Sequence, residues 1–215
     1  MNRRLVVMDV DSTLVRGEVI EMLAERAGSG ALVAAITERA MAGELDFAAS
    51  LHERVATLAG LPEAVFDAVA AGLELTAGAE ELVAELHRRG WAVGLVSGGF
   101  HEVVDPVAAR LGIGFVRANR LEVVGGVLTG RVSGPVVDRA GKAAALAEFA
   151  AAEGVALADT VAIGDGANDL EMLGLAGIGI AFEAKPVVAA RADHAVWGSL
   201  LRVLDVIDGA EHLTD

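Results

Sequence analysis

Continuous apolar runs recur along this chain, and each is followed by a turn and then by a helical pattern. Four runs show this clearly: Leu5–Met8, Trp91–Val96, Thr160–Ile163 and Gly177–Phe182. A fifth run, Ala195–Trp197, is shorter. Strands that are apolar at every position, and not only at every second one, are typical of parallel sheets covered on both faces. The alternation of strand and helix therefore predicts an α/β fold with an open parallel sheet and helices on both faces.

Two stretches interrupt this alternation. Between residues 16 and 76 there is no strand pattern, but there are four helical ones: Glu18–Ala27, Leu32–Met41, Asp46–Leu58 and Pro62–Gly72. This predicts a helical cap domain at 16–76, inserted into an α/β core domain made of residues 1–15 and 77–215. The second stretch is 119–134, where two apolar segments flank Gly125-Gly126. That pair is typical of a tight turn, so we expect a β-hairpin there.

Charge and composition exclude several classes of protein. The formal net charge of −14 makes nucleic acid an unfavourable partner, because its phosphates would be repelled. The absence of cysteine excludes a disulfide scaffold, a thiolate nucleophile and a Cys-ligated zinc site. The apolar run before Asp9 is too short for a signal peptide, and no later run is long enough to span a bilayer. We therefore expect a cytoplasmic protein without a membrane partner, in which an anionic substrate needs a local cation.

Asp9 and Asp11 follow the first apolar run, where a buried strand should end and a loop begin. Asp is a poor strand residue, so the pair is either a turn or cap at the strand end or part of a functional site. A calcium-binding loop that starts at Asp9 would need Gly in place of Leu14 and Glu in place of Ile20, so this site is excluded. A carboxylate nucleophile beside a second carboxylic acid remains, and this arrangement suits covalent phosphoryl transfer.

Polar residues also follow other predicted strands. Ser97-Gly98-Gly99 can hold a phosphate with a hydroxyl and backbone N–H groups, and the stretch from Gly164 to Asp169 offers the hard oxygen ligands that Mg²⁺ prefers. Taken singly, these stretches are more typical of turns and helix caps, and Lys142 of a solvated helix start. However, the carboxyl ends of parallel strands meet at one edge of a sheet. We therefore expect a nucleophile, an anion cradle, a cation and a metal site to converge there.

Arg54 borders the apolar stripe of the predicted helix Asp46–Leu58, because it lies seven residues after Phe47 and shares nearly the same face. Such a residue usually reaches out to water or pairs with an acid such as Glu18. The alternative is a guanidinium that binds a substrate carboxylate through two hydrogen bonds. The pattern alone favours the first interpretation.

Four ordered motifs resemble those of the haloacid dehalogenase (HAD) superfamily: Asp9-Val10-Asp11-Ser12-Thr13, Ser97-Gly98-Gly99-Phe100, Lys142 and Gly164-Asp165-Gly166-Ala167-Asn168-Asp169. Within it, the chain is similar to the phosphoserine phosphatase family over nearly its full length. The similarity includes the position of the helical insert and three further stretches: Gly60-Leu61-Pro62, Ala118-Asn119-Arg120-Leu121 and Ala184-Lys185-Pro186. The resemblance implies a HAD-like Rossmannoid fold and a Mg²⁺-dependent phosphatase that hydrolyses O-phosphoserine, the last step of L-serine biosynthesis.

The resemblance also implies catalytic and metal-binding roles. Asp9 would attack phosphorus and form a phosphoaspartyl intermediate. Asp11 would protonate the leaving serine oxygen and then activate water. Mg²⁺ would be held by Asp9, the backbone carbonyl of Asp11, and Asp165, with Asp169 supporting it through water or an outer layer of contacts.

The remaining implied roles concern the substrate. Its phosphoryl group would be bound in the core domain, and its amino and carboxylate groups would be bound by the cap. The residues concerned are Ser97, Gly98, Lys142 and Asn168 for the phosphoryl group, Glu18 for the amino group, Arg54 for the carboxylate, and Met41 and Phe47 as a cover over the site. The cap would open and close to admit substrate and exclude bulk water.

Two other functions stay open at this point. The same chemistry could act on another small phosphomonoester or transfer the phosphoryl group to another alcohol. A non-enzymatic phospho-acceptor module also has an acidic strand end in an α/β sheet, but Asp11 and the insert argue against it, because a signal needs a long-lived acyl phosphate. Two residues depart from the family pattern: Glu183 adds a negative charge, and Pro106 predicts a kink or a late start in a helix from Phe100 to Leu111.

Overall fold

An open sheet of seven strands forms the centre of the fold. The structure is a computed structural model that describes residues 3–41 and 44–211. The strands are β1 (Leu5–Asp9), β2 (Ala92–Phe100), β3 (Phe115–Val124), β4 (Val127–Ser133), β5 (Thr160–Gly164), β6 (Ile178–Phe182) and β7 (His194–Val196). Their order is β4-β3-β2-β1-β5-β6-β7, in which β3 and β4 are antiparallel and all other neighbours are parallel. The predicted open parallel sheet is confirmed.

Helices cover both faces of this sheet. The α-helices of the described residues, of which the first four belong to the helical insert, are α1 (Val19–Ala27), α2 (Gly30–Met41), α3 (Phe47–Ala56), α4 (Val65–Gly72), α5 (Ala79–Arg88), α6 (His101–Arg110), α7 (Arg139–Glu153), α8 (Leu170–Leu175), α9 (Pro186–Ala189) and α10 (Val203–Glu211). Within the described ranges, none of them combines the length and the apolar character that crossing a membrane requires.

The central strand β1 shows why its sequence is apolar at every position. Val6 and Met8 belong to the apolar cluster that includes residues of α5, α6 and α10. Leu5 and Val7 belong to a second cluster, with residues of α7 and α8. All four side chains are completely buried. Because both faces of β1 are covered, the strand ends deep inside the protein, and Asp9 at its end is buried as well.

The helical insert, residues 16–76, carries the four predicted helices as α1 to α4, with ends shifted by a few residues. The chain enters and leaves it through two segments that pair with each other. Val15 and Leu75 form an antiparallel bridge, and the Thr76 N–H donates to the Leu14 carbonyl at 2.9 Å. This narrow connection is consistent with the predicted boundaries, and the division into a cap domain and a core domain stays a prediction.

The predicted hairpin is present, but it extends the main sheet. β3 begins at Phe115, pairs in parallel with β2, and then turns at Gly125-Gly126 into β4. Both glycines have positive φ, +63° and +77°, as a two-residue hairpin turn requires. The expected interruption at 119–134 is therefore a continuation of the sheet. Its start is not recognisable in the sequence because only two apolar residues precede Arg117.

The hairpin also holds the insert. The Gly60 N–H donates to the Leu128 carbonyl at 2.9 Å, and the Leu128 N–H donates to the Leu61 carbonyl at 2.8 Å. A third bond runs from the Glu63 N–H to the Gly126 carbonyl at 2.9 Å. Helix α3, which ends just before these residues, contacts β4. The hairpin thus fixes the position of α3, the helix that carries Phe47 and Arg54.

The two departures from the family pattern lie outside the catalytic motifs. Helix α6 begins at His101 and continues through Pro106, so the late start is not seen. Pro106 only removes one N–H that would have bonded to the Glu102 carbonyl. Glu183 is exposed, with a φ of +48°, and its carboxylate accepts a hydrogen bond from the Gly198 N–H at 2.6 Å. Its charge therefore serves a surface turn.

Candidate active site

One cavity of about 120 Å³ lies at the carboxyl ends of the parallel strands, between the sheet and the helical insert. Its walls include most of the residues predicted for the site: Asp9, Asp11, Glu18, Phe47, Arg54, Gly98, Lys142, Asp165 and Asn168. These residues come from strand ends and from helices far apart in the sequence. The convergence expected from the parallel-sheet topology is therefore present.

Lys142 is the buried cation of this cavity. It projects from the first turn of α7, and its Nζ donates to Asp9 Oδ1 and to Asp169 Oδ1, both at 2.6 Å. Only 1% of its surface is exposed. Burial alone would lower the pKa of Lys142, but the charges of Asp9 and Asp169 outweigh this and raise the pKa above its ordinary value. Lys142 therefore stays charged at neutral pH.

Asp9, Asp165 and Asp169 form an acidic cluster in which carboxylate oxygens lie within 4.8 Å of one another. Burial and the nearby charge of Asp169 raise the pKa of Asp9 well above its usual range, although Lys142 opposes the effect. Burial and Asp169 also raise the pKa of Asp165, to about 6. One ammonium group is thus insufficient to offset two buried carboxylates, Asp9 and Asp169, and the partly exposed carboxylate of Asp165. A divalent cation with a preference for oxygen ligands fits this donor set.

The three acids are not equally available to a metal ion. Both oxygens of Asp169 accept hydrogen bonds, one from Lys142 and the other from the Gly166 N–H at 2.9 Å. Asp165 accepts a long side-chain bond, 3.4 Å, from the Thr13 hydroxyl. Within the described residues, no donor reaches Asp9 Oδ2. Asp9 and Asp165 are therefore the acids free to bind a cation directly. Asp169 instead orients Lys142 and contributes negative charge to the cluster.

Asp11 is held by donors on both of its oxygens. Oδ1 accepts from the Val19 N–H at 2.7 Å, at the start of α1, and Oδ2 accepts from the Ser97 hydroxyl at 2.9 Å. Burial raises the pKa of Asp11, while these two hydrogen bonds act in the opposite direction. A carboxyl group with a raised pKa is easier to protonate, which suits a residue that must donate and recover a proton.

Two glycines let these carboxylates approach the backbone. A Cβ on Gly99 would lie 2.8 Å from Asp11 Oδ2, and a Cβ on Gly164 would lie 2.5 Å from the carboxyl carbon of Asp169. Neither position has room for a side chain. Gly99, which also lines the cavity, belongs to the predicted Ser97-Gly98-Gly99 phosphate cradle but is not among the residues assigned individually to the phosphoryl group. Its position directly after Ser97-Gly98 is the only sequence signal that could have identified it.

Glu18 faces the cavity from the N-terminal end of α1. Its Oε1 accepts from the Ser12 hydroxyl at 2.8 Å. Burial, followed by repulsion from Asp11, raises the pKa of Glu18 to about 7, although the bond from Ser12 opposes the shift. Ser12 has a φ of +57°, an uncommon value for a residue other than glycine. It was not predicted as a site residue, although it stands next to Asp11 in the motif.

Arg54 faces the cavity from α3. Its Nε donates to the Ser50 carbonyl at 3.3 Å, and no carboxylate of the described residues lies within 4.0 Å of its guanidinium nitrogens. Burial lowers its pKa, while the more distant charges of Glu18, Glu21 and Asp11 raise it. The ion pair with Glu18 suggested by the sequence pattern is therefore not formed. The end of the guanidinium remains free to bind an anion.

Phe47 closes the cavity on the side of the insert. A Cβ on Gly98 would lie 3.3 Å from Cζ of the Phe47 ring, so the insert sits directly over the end of β2. Met41, the other residue predicted as a cover, is 69% exposed at the end of α2 and does not line the cavity. The structure thus brings only Phe47 of this pair to the site.

Ser97 lies outside the cavity lining as well. Its side chain is completely buried, its hydroxyl donates to Asp11, and its Oγ accepts from the Gly99 N–H at 2.7 Å. A register shift in the pairing of β2 and β3, between Val96 and Phe100, accompanies this arrangement. In this structure the hydroxyl orients Asp11, and Gly98, Gly99, Asn168 and Lys142 are left to face a phosphoryl group.

Comparison with known proteins agrees with this geometry. Residues 6–174 match the model of the haloacid dehalogenase-like hydrolase family. The phosphoserine phosphatase SerB2 of Mycobacterium tuberculosis is 56% identical over 217 residues, which cover 99% of this chain but only 53% of that protein. The chain thus spans about half the length of this relative. The phosphoserine phosphatase of Streptococcus thermophilus is 56% identical over 205 residues, and the match covers 95% of both chains.

Solved structures of phosphoserine phosphatases are also similar to this chain. A phosphoserine phosphatase structure with an analogue of the phosphoaspartyl intermediate has a TM-score of 0.89 and 42% identity, and the match covers 96% of this chain and 99% of that one. A substrate-bound phosphoserine phosphatase structure has a TM-score of 0.90 and 41% identity with the same coverage.

Proposed function

The chain belongs to the haloacid dehalogenase-like hydrolase family, and we propose that it hydrolyses O-phosphoserine to serine and phosphate through a phosphoaspartyl intermediate. One observation supports this proposal above all others. A single small cavity joins a buried Asp–Lys pair at the end of β1 to a Glu and to an Arg on the opposite wall that has no carboxylate partner among the described residues. These groups match the three charged parts of phosphoserine, namely its phosphate, its amino group and its carboxylate.

In the first step, an Asp9 oxygen attacks phosphorus and the bond from phosphorus to the serine oxygen breaks. The electron pair of that bond goes to the serine oxygen, which takes the proton of Asp11. Lys142 supports this step because its ammonium group lies against Asp9, where the phosphoryl oxygens must come close. The hydrogen bonds from Val19 and Ser97 keep the Asp11 carboxyl in one orientation.

In the second step, Asp11 is a carboxylate and takes a proton from water. The water oxygen attacks the phosphorus of the phosphoaspartyl group, and the bond to Asp9 breaks. Asp9 regains its carboxylate, Asp11 regains its proton, and phosphate is released. The same residue therefore serves as acid and then as base, which requires a proton that Asp11 can both give and recover near neutral pH.

We propose Mg²⁺ as the cation of the acidic cluster, held by Asp9, Asp165 and the Asp11 carbonyl, with Asp169 as support. When bound, Mg²⁺ supplies charge neutralisation for the phosphoryl group among the carboxylates. The raised pKa values of Asp9 and Asp165 support this assignment, because both acids lack sufficient positive charge nearby. The cytoplasmic location stays a prediction.

The insert accounts for substrate choice in this proposal. Glu18 would bind the substrate ammonium group. The positive charge of that group would offset the repulsion between Glu18 and Asp11. Arg54 would bind the carboxylate, for which it has an unpaired guanidinium end. Phe47 excludes water from the same side. A phosphomonoester without these two charged groups would leave Glu18 and Arg54 without partners.

Replacing Arg54 with Ala should change substrate choice, because it removes the group assigned to the carboxylate. We expect kcat/KM for O-phosphoserine to fall by about 30- to 100-fold, as for the loss of a charge-assisted bidentate pair. O-Phosphoethanolamine, which is phosphoserine without the carboxylate, should be affected by less than about threefold. Steady-state phosphate release with both substrates is the measurement.

Arg26→Ala is the matched control, since Arg26 lies on the same insert and is exposed. It should leave both substrates unchanged. If Arg54→Ala lowers kcat/KM for the two substrates equally, the assignment of Arg54 to the carboxylate is wrong. If Arg54→Ala lowers kcat/KM for O-phosphoserine alone, selectivity for the carboxylate depends on this residue as proposed.

A further inference from the structure

Asn119 is a buried side chain that the proposed reaction does not use. It lies on β3 and is 1% exposed. Its Nδ2 donates to the Gly98 carbonyl at 2.8 Å, and its Oδ1 accepts from the Val137 N–H at 2.8 Å. Asn119 therefore joins the end of β2, which faces the phosphoryl group, to the segment that leads into α7, the helix carrying Lys142.

The bond from Asn119 fixes the peptide between Gly98 and Gly99. The carbonyl and the N–H of a trans peptide point in opposite directions, so holding the Gly98 carbonyl also directs the Gly99 N–H. That N–H donates to Ser97 Oγ at 2.7 Å, and the Ser97 hydroxyl donates to Asp11 Oδ2 at 2.9 Å. A continuous series of hydrogen bonds thus runs from Asn119 to Asp11.

Glycine at positions 98 and 99 makes this support necessary. A peptide flanked by two glycines can rotate more freely than any other, because no Cβ restricts its φ and ψ angles. Without the Asn119 amide, the partly buried Gly98 carbonyl would lose this donor and would tend to turn towards other donors. The Gly99 N–H would then leave Ser97, and the Ser97 hydroxyl would lose the contact that holds it towards Asp11.

We propose that Asn119 is a positioning residue that holds Asp11 in the orientation for proton donation to the leaving serine oxygen, acting through the Gly98–Gly99 peptide and Ser97. The proposal rests on the proposed function, since it gives Asp11 that role. Asn119 itself does not contact the substrate. Its loss should therefore slow the first step where the leaving group needs a proton. Substrate binding, and attack by Asp9 on an ester whose leaving group needs no proton, should stay largely intact.

Two substrates with different leaving groups distinguish an effect on proton donation from an effect on substrate binding or on attack by Asp9. The serine alkoxide must be protonated as it departs, whereas the nitrophenolate of 4-nitrophenyl phosphate leaves without a proton. We expect Asn119→Ala and Asn119→Asp to lower the single-turnover rate with O-phosphoserine by about 10- to 100-fold, the range for loss of an orienting contact. The first-turnover release of nitrophenolate should change by less than about threefold. Asn119→Asp matters because it keeps an acceptor for the Val137 N–H and loses only the donor to Gly98.

A double-mutant cycle tests whether Asn119 acts through Ser97. In a Ser97→Ala background the series is already broken, so adding Asn119→Asp should slow the O-phosphoserine reaction by less than about threefold. Arg120→Ala is the control, because Arg120 is the next residue on β3, is exposed, and its ion pair with Glu102 is long, at 3.8 Å. It should leave both rates unchanged. If the rate reductions of Ser97→Ala and Asn119→Asp multiply in the double variant, the proposal is wrong.

The outcomes separate this proposal from the proposed function. Wild-type protein that releases no serine from O-phosphoserine contradicts the proposed function. If the wild-type protein releases serine, but the Asn119 variants slow the reactions of both substrates equally or of neither, only the role of Asn119 is contradicted. Amide hydrogen exchange in folded wild-type protein gives a readout that does not depend on the variants folding. The Gly99 amide should be strongly protected, and rapid exchange there would overturn the proposed series of bonds.

Discussion

Asp9→Asn is expected to lower phosphate release from O-phosphoserine by at least about 10⁴-fold, because an amide cannot replace a carboxylate as the nucleophile. The two side chains have the same shape, so the loss should be chemical and not structural. Folding should be retained, because burial and the charge of Asp169 already make ionised Asp9 costly in the folded protein. The measurement is phosphate release with excess enzyme, together with the thermal unfolding midpoint, Tm.

Asp67→Asn provides the matched control for this change. Asp67 is exposed on α4 and lines no part of the catalytic cavity, so the same substitution there should leave kcat and KM unchanged. Rapid quenching in acid should trap a phosphorylated protein with wild-type and Asp67→Asn enzyme and not with Asp9→Asn. Trapped phosphate on Asp9→Asn, or more than a few per cent of wild-type turnover, would show that Asp9 is not the nucleophile.

Lys142→Met is expected to cost both stability and activity. It removes the only cation in contact with Asp9 and Asp169 among the described residues, and leaves two buried carboxylates unpaired. Breaking a buried ion pair in this way costs about 3–5 kcal/mol. Activity should fall by about 10³-fold or more, because the ammonium group also faces the phosphoryl oxygens in the proposed reaction.

The chain offers a good control, because its only other lysine is Lys185, which is exposed. Lys185→Met should change neither Tm nor kcat. Mg²⁺ should raise the Tm of Lys142→Met more than that of wild-type protein, since a cation in the acidic cluster would replace part of the missing charge. A Lys142→Met protein with the Tm and activity of the wild type would contradict the assigned role of this lysine.

Much of the fold follows from local sequence patterns. The unbroken apolar runs of β1, β2, β5 and β6 identify parallel strands, because a strand covered on both faces has no position for a polar side chain. The insert is recognisable because residues 16–76 show helical periodicity and no strand pattern. The first part of β3 is not recognisable, because Arg117 follows Phe115-Val116 and the strand gains its stability from pairing with β2.

The site residues likewise fall into those that the sequence pattern identifies and those that it does not. Polar residues at strand ends identify Asp9, Asp11 and Asp165, since topology alone brings those ends together. The residues of the insert cannot be placed by pattern, because their position depends on how the insert packs over the sheet. Arg54 is an example. Its sequence pattern favours a solvated or paired residue, whereas in the structure it faces the cavity without a carboxylate partner.

Ser97 and Asn119 show a further limit. Their hydrogen bonds depend on the local irregularity of β2 after Val96, which changes the pairing register and is not encoded in any simple periodicity. Both residues lie in stretches that resemble known family motifs, so the resemblance marks them as important. Only the structure shows that the Ser97 hydroxyl donates to Asp11 and that Asn119 holds the neighbouring peptide.

The most direct test of the central claim is phosphate release by the wild-type protein, with Mg²⁺, from a matched set of small phosphomonoesters. O-Phosphoethanolamine lacks the carboxylate of O-phosphoserine, and 3-phosphoglycerate has a hydroxyl group in place of the amino group. We predict the highest kcat/KM for O-phosphoserine, with each change lowering it by at least about 100-fold because Arg54 or Glu18 is left unpaired. A higher kcat/KM for either of the other esters, or phosphorylation of Asp9 without release of phosphate, would contradict the account.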